Sequence, residues 1–364
     1  MTKMNALAPD IRRPDQLDPA WFTRALQAAG FDAEIAAVAA KPVGTGQIGD
    51  SIRFTLTHAR PCPGAPASLV GKFPAADPTS FASGRNGGNY LREVRFYQQL
   101  AASARIAVPQ CFYAEVDEDS GEYVLLLEDL APARQGDQLA GVTIDQAMLV
   151  VDQAARLHAS HWGDETLLDT AWLVNSRKAP PSPLSEEGIR DFWRGFQQRY
   201  AGRIGPKVIE AGTVLTDNLA AYRANSNRPR CLIHGDFRPD NIMFASEAGG
   251  HPITVLDWQS IGFGAAAVDL GYFLAGALPA EVRREHEAEM LARYHAELRA
   301  GGVTDYAEAE LRADYASGGL RMLFIAIVSA MRVKQTARGD EMFLLMAACA
   351  ADHCIDNDGL ALLA

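Results

Sequence analysis

Around Leu130 the hydrophobic pattern changes its period, and that change restricts what this chain can fold into. Before it, SIRFTLTH alternates apolar residues at Ile52, Phe54 and Leu56. EIAAVAAKPV precedes that segment, and SLVGKFP, CFYAEVD and YVLLLEDL follow, with Gly-, Pro- or Asp-rich turns between them. A period of two lines up every second side chain on one face of a sheet. Two helical segments interrupt these strands. One starts at Asp18 as N-cap and ends at Gly30, with Trp21, Ala25 and Leu26 on its apolar side. The other covers 89–102, with Leu91, Val94, Tyr97 and Leu100 in a stripe beside Glu93. Beyond Leu130 the chain reads as long helices, with strand signals only in CLIHGD running into NIMF and in ITVLDW. At 364 residues it exceeds the roughly 250–300 that one core serves. The expected class is α+β in two lobes, a β-sheet N-lobe over 1–130 and a mainly helical C-lobe over 131–364, joined without a flexible linker.

Several partner classes are disfavoured. A formal net charge of -11 argues against nucleic acid, whose phosphates need a basic face. The longest apolar stretch, 322–331, is shorter than the roughly 18 residues of a membrane span. The opening residues lack the apolar core of a signal peptide, so a cytoplasmic location is expected. Five cysteines without a CxxC pair fit reduced thiols. Cys349, His353 and Cys354 fall in LLMAACAADHC, which reads as a buried helix in preference to a zinc site.

The residues that carry chemistry begin with His234-Gly235-Asp236-Phe237-Arg238-Pro239-Asp240-Asn241. The spacing H-x-D-[hydrophobic]-x-x-x-N is that of a kinase catalytic loop. Its aspartate takes the proton of an attacking hydroxyl, and an amide oxygen five residues on faces a metal held on phosphates. Asp257 follows Asn241 by 257 − 241 = 16 residues, enough for two short strands and a turn that return it beside Asn241 as the main magnesium carboxylate. Arg238 either offsets charge on the transferred phosphoryl group or lies on the surface beside Pro239.

Upstream, Gly44, Gly46 and Gly49 form G-x-G-x-x-G. A dinucleotide fingerprint would open a helix, whereas here a strand follows, so the loop is expected to join two strands and fold over ATP phosphates. Lys72 sits in an apolar strand, where an ammonium is costly without an anion, and Glu93 on the next helix is its expected partner. The backbone of Leu127, Glu128 and Leu130 is the candidate hinge for adenine. His158, His161 and Trp162 read as scaffold. Asp269 is expected to cap a helix or to brace the catalytic loop by accepting backbone N–H bonds. Phe192, Trp193, Phe196 and Tyr200 read as core or as the wall of an apolar acceptor pocket within the helices of 185–225.

Taken in order, the Gly loop, Lys72, Glu93, LLLEDL, LHASHW, HGDFRPDN, LDWQ and VDLGYFL resemble the aminoglycoside phosphotransferase and choline kinase superfamily, over most of the chain. RQGDQLAGV, HGDFRPDNIMF and YHAELRAGGV look like its ecdysteroid-kinase-like branch. The resemblance implies a bilobal protein-kinase-like fold, ATP and Mg²⁺ as cofactors and a small-molecule alcohol as acceptor. It also implies the roles above for Asp236, Asn241, Asp257, Lys72 and Glu93. Gly235 stands where protein kinases carry Arg, Trp258-Gln259 replaces Phe-Gly, and no A-P-E segment follows, so a peptide acceptor is disfavoured. The competing expectation is a catalytically silent nucleotide-binding regulatory module of the same fold.

Overall fold

The computed structural model describes residues 10–44, 48–174, 185–224 and 230–364. Five strands, β1 (Ile35–Val43), β2 (Gly49–His58), β3 (Ser68–Pro74), β4 (Cys111–Val116) and β5 (Tyr123–Glu128), form one antiparallel sheet in the order β1-β2-β3-β5-β4. β5 lies inside this sheet with both faces covered, which is why its sequence is a continuous apolar run. Val124 and Leu126 face the outer core, while Tyr123, Leu125 and Leu127 face the core shared with the helical lobe. The outer face is closed by α1 (Pro19–Ala28), whose first turn is fixed by Asp18 accepting the Trp21 N–H at 2.7 Å. Trp21, Phe22 and Leu26 pack there with Phe54, Leu69 and Phe73.

Between β3 and β4 the sequence predicted one helix, and the structure has two. α2 (Pro78–Gly87) starts at Asp77, which accepts the Ser80 N–H at 2.8 Å, and ends at Gly88 with φ +71°. It has no apolar stripe, and its anchor is Phe81 against Tyr90. α3 (Asn89–Arg95) follows and continues into a π-helical turn over Phe96–Leu100. From that turn Phe96 stacks on Trp258 with 3.9 Å between ring centroids, joining the sheet lobe to the segment after Asp257.

The second lobe contains β6 (Arg134–Gln135), α4 (Ile144–Ser160), α5 (Ala171–Val174), α6 (Glu186–Arg199), α7 (Pro206–Asp217), α8 (Leu219–Ala224), β7 (Arg230–Ile233), β8 (Ile242–Ser246), β9 (Gly249–Val255), β10 (Gly262–Ala265), α9 (Ala267–Ala277), α10 (Ala280–Ala300), α11 (Glu308–Arg332) and α12 (Ala337–Asp356). β6, β8 and β9 form one small sheet, and β7 pairs with β10 in another. β6 and β10, of two and four residues, are too short to leave a periodic signal. α9 is buried almost throughout and lies against α11. Their close approach requires Gly271, where a Cβ would stand 2.1 Å from the Tyr315 carbonyl oxygen.

Trp193, Phe196 and Tyr200 are buried with α11 and α12 side chains, and Phe192 is half-buried against the same cluster, so this aromatic run is core. His353 is buried in α12 against Tyr315, and that burial, with Arg283 nearby, pushes its imidazole down to about 3. No helix among the described residues is long and apolar enough to cross a membrane.

Candidate active site

The loop after β7 is held from below. At Gly235 the backbone has φ +82°, and a Cβ would meet the Ser260 carbonyl oxygen at 2.3 Å, so no side chain fits where protein kinases carry Arg. Asp269, buried on α9, accepts the N–H of His234 at 2.6 Å and of Gly235 at 3.1 Å, with His158 Nε2 at 3.5 Å from its carboxylate. It braces the loop and does not cap the helix, whose N-cap is Ala266. Burial opposes its charge, but His158, His234 and Arg321 outweigh burial and hold the carboxyl below the usual aspartate value. Arg321 of α11 adds a hydrogen bond to the Gly235 carbonyl at 2.7 Å. His234 Nδ1 accepts the Asp236 N–H at 3.3 Å, which places the ring proton on Nε2, donated to the Leu256 carbonyl at 2.8 Å.

Asp236 is half-buried at the front of this loop. Its Oδ2 accepts Asn241 Nδ2 at 3.0 Å and Arg238 Nε at 3.3 Å, and its Oδ1 accepts the Tyr272 hydroxyl at 2.9 Å. Burial works against the ionised form, yet Arg238, His234, Tyr272 and Asn241 together keep the carboxyl below its ordinary range. Arg238 turns inward to Asp236, with Asp240 on its other side, and burial is outweighed by these acids, so the guanidinium stays charged.

β8 and β9 form the return connection read from the sequence. Ile242 faces Val255, and the Leu256 N–H bonds the Asn241 carbonyl at 2.8 Å, which sets Asp257 beside Asn241. Asp257 has φ +64°, a conformation a non-glycine residue rarely adopts and one that recurs at functional sites. Its Oδ1 is buried without a hydrogen bond and lies 3.6 Å from Lys72 Nζ. Asn241 spends its Nδ2 on Asp236, at 2.8 Å to the carbonyl as well as on Oδ2, and this leaves its Oδ1 as the free end. One orphan carboxylate oxygen beside one amide oxygen is a hard-oxygen donor pair of the kind Mg²⁺ takes when phosphate and water complete its shell.

Lys72 on β3 is paired with Glu93 on α3, and Gln259 Nε2 donates to the second Glu93 oxygen at 3.2 Å. Glu93 is fully buried, which raises its carboxyl despite Lys72. Burial likewise opposes the Lys72 charge, but Glu93 and then Asp257 outweigh it and raise the amine. Gly44 has φ +75° and Gly49 begins β2, while Gly46 lies outside the described residues. At the candidate hinge, Leu127 and Leu130 are buried. The Glu128 side chain accepts the Gln110 N–H at 3.1 Å and contacts His251 at 2.8 Å. Trp162 Nε1 donates to Asp305 at 3.0 Å, and His161 contacts Ser103. Sequence reasoning passed over three polar contributors: Gln259, Arg321 and Tyr272. Tyr272 alone had a signal, since it lies three residues after Asp269 and hence on the same face of α9.

A five-stranded antiparallel sheet over a helical lobe, with the catalytic-type loop at their junction, is the protein-kinase-like fold of small-molecule phosphotransferases. A variant of aminoglycoside 2′-phosphotransferase-IIIa solved with GDP superposes with a TM-score of 0.52, at 14% identity, covering 93% of this chain and 100% of that one. An ethanolamine kinase of Plasmodium vivax gives 0.50, at 11% identity, covering 86% and 81%. Residues 88–302, more than half of the sequence, match the ecdysteroid kinase-like family, and the chain belongs to that family. Acyl-CoA dehydrogenase family member 11 of Rattus norvegicus is 35% identical over 107 residues, which is 27% of this chain and only 12% of the length of that relative.

Proposed function

We propose that this protein is an ATP- and Mg²⁺-dependent phosphotransferase that moves the γ-phosphoryl group to a hydroxyl of a small molecule, with Asp236 as the base. The observation that carries the reading is the meeting of Lys72 from a strand, Glu93 from a helix and Asp257 from a hairpin, with an orphan carboxylate oxygen among them. In this reading Glu93 aims Lys72 at the α- and β-phosphates, and Gly44, Gly46 and Gly49 cover them. The hinge at the lobe boundary near Leu130 reads adenine through backbone groups of Leu127, Glu128 and Leu130, since the Glu128 side chain is already engaged. Asp257 and Asn241 would hold Mg²⁺, which would supply neutralisation of phosphate charge there.

Asp236 orients the acceptor hydroxyl and takes its proton. Because its carboxyl is held below the usual range, it is a weak base, suited to a late proton transfer in a loose transition state. Arg238 keeps Asp236 ionised and brings positive charge to the transferred group.

The test is a screen of alcohols, amino alcohols and aminoglycosides for ADP release, with mass detection of a product heavier by one phosphoryl group. Asp236→Asn is expected to leave ATP binding nearly intact and cut transfer by about 10²–10⁴-fold. Asp257→Ala is expected to weaken Mg-ATP binding itself. Equal, mild losses from both would sink these roles, and Mg-dependent ATP binding without turnover on any acceptor, indifferent to Asp236→Ala, would support the silent regulatory module instead.

A further inference from the structure

A carboxylate offers about four acceptor positions, two on each oxygen. On Asp236 three are filled. Asn241 Nδ2 and Arg238 Nε take both positions on Oδ2, and the Tyr272 hydroxyl takes one on Oδ1. We propose that Tyr272 is a positioning residue for the base: by donating to Oδ1 from beneath, it fixes the carboxylate so that the one remaining acceptor position, also on Oδ1, meets the acceptor hydroxyl.

Tyr272 suits this task. It is buried on α9, three residues from the Asp269 that braces the same loop, so one rigid helix sets both the loop backbone and the carboxylate. Burial and the adjacent Asp236 charge push its phenol well up, so it stays a donor throughout the working range. The charged and titratable groups around Asp236 are Arg238 and His234 from its own loop and Tyr272 from α9. Behind these stand Asp240, which pairs with Arg238, and Arg321 of α11 on the Gly235 carbonyl. α12 presents the Met342 sulfur, 3.3 Å from Arg238 Nη1. Removing the phenol hydroxyl therefore leaves Arg238 and Asn241 on Oδ2 and takes away the donor that holds Oδ1.

The inference rests on Asp236 being the base of the proposed transfer, and its test is chosen to separate the two. With Mg-ATP and an acceptor found by the screen, Tyr272→Phe, its fold checked by melting, is expected to lose kcat about tenfold at unchanged KM for ATP, and to cost nothing further in the Asp236→Asn background, because the hydroxyl acts only through that carboxylate. A folded Tyr272→Phe that keeps full kcat, or that lowers the residual rate of Asp236→Asn by the same factor, overturns the proposal and leaves the reaction standing. Failure of the unaltered protein to phosphorylate any alcohol of the screen overturns the base assignment beneath it.

Discussion

Replacing Lys72 by Met tests whether the buried ion pair organises this cleft or merely decorates it. The substitution keeps the aliphatic stem and strands Glu93, fully buried, with Gln259 Nε2 at 3.2 Å as its remaining donor. Breaking a buried pair by removing one partner costs roughly 3–5 kcal/mol. At ~2 °C per kcal/mol for a large domain, that lowers the melting temperature by roughly 6–10 °C at pH 8. The carboxylate can escape by binding a proton, which sets the pH dependence. Burial raises the folded pKa of Glu93 above the unfolded value of about 4.3, so the folded state binds more protons, and stability falls as pH rises through that interval. The Lys72→Met deficit should therefore be smaller at pH 5 than at pH 8. Adding Glu93→Gln should restore most of the lost stability, because the uncompensated charge is gone. It should not restore transfer, which in the proposed reading needs the ammonium on the phosphates and is expected to stay down by about 10²–10³-fold. Melting curves of the three variants at both pH values, beside ADP release, check the scheme. A deficit that is absent at pH 8, or equal at both pH values and untouched by Glu93→Gln, would refute it.

Two further substitutions probe the loop from below. Gly235→Ala must adopt φ +82° and place a Cβ 2.3 Å from the Ser260 carbonyl oxygen. The conformation alone costs about 1–2 kcal/mol. The clash also displaces the segment three residues after Asp257, so a lower melting temperature should come with weaker Mg-ATP binding by calorimetry. Asp269→Ala leaves the His234 and Gly235 N–H groups buried without acceptors, at about 1–3 kcal/mol each. Because the folded carboxyl is held below its unfolded value of about 3.9, its stabilisation is present above that pH and is lost as pH falls through the lower folded value. Urea midpoints should show a constant gap to the unaltered protein from pH 5 to 8 that begins to narrow below about pH 4, and a gap that does not narrow at all as the pH falls from 5 to 3 would refute the assignment.

What the sequence discloses follows from where each signal originates. The sheet is legible because its strands alternate or, for β5, run apolar on both faces, and because turn residues separate them. α2 is not legible, since PTSFASGRNG carries two glycines and one large apolar residue and is held by a cap, a ring contact and the Arg85 bond to the Asp119 carbonyl. Within the site, Lys72 and Glu93 could be paired from sequence because a lysine in an apolar strand demands an anion. Asp236, Asn241 and Asp257 were marked by spacing alone. Gln259 and Arg321 reach their partners Glu93 and Gly235 across 166 and 86 residues, and no local pattern encodes such distances. In AVDLGYFLAGA the tyrosine adds to an already saturated apolar pattern, and its hydroxyl is invisible to any hydrophobicity argument. It becomes visible once Asp269 is known to reach the loop, because a residue three positions on must present its polar tip to the same place. A polar atom inside an otherwise apolar helix has to be satisfied by something, and here the Tyr272 hydroxyl meets the Asp236 carboxylate at 2.9 Å.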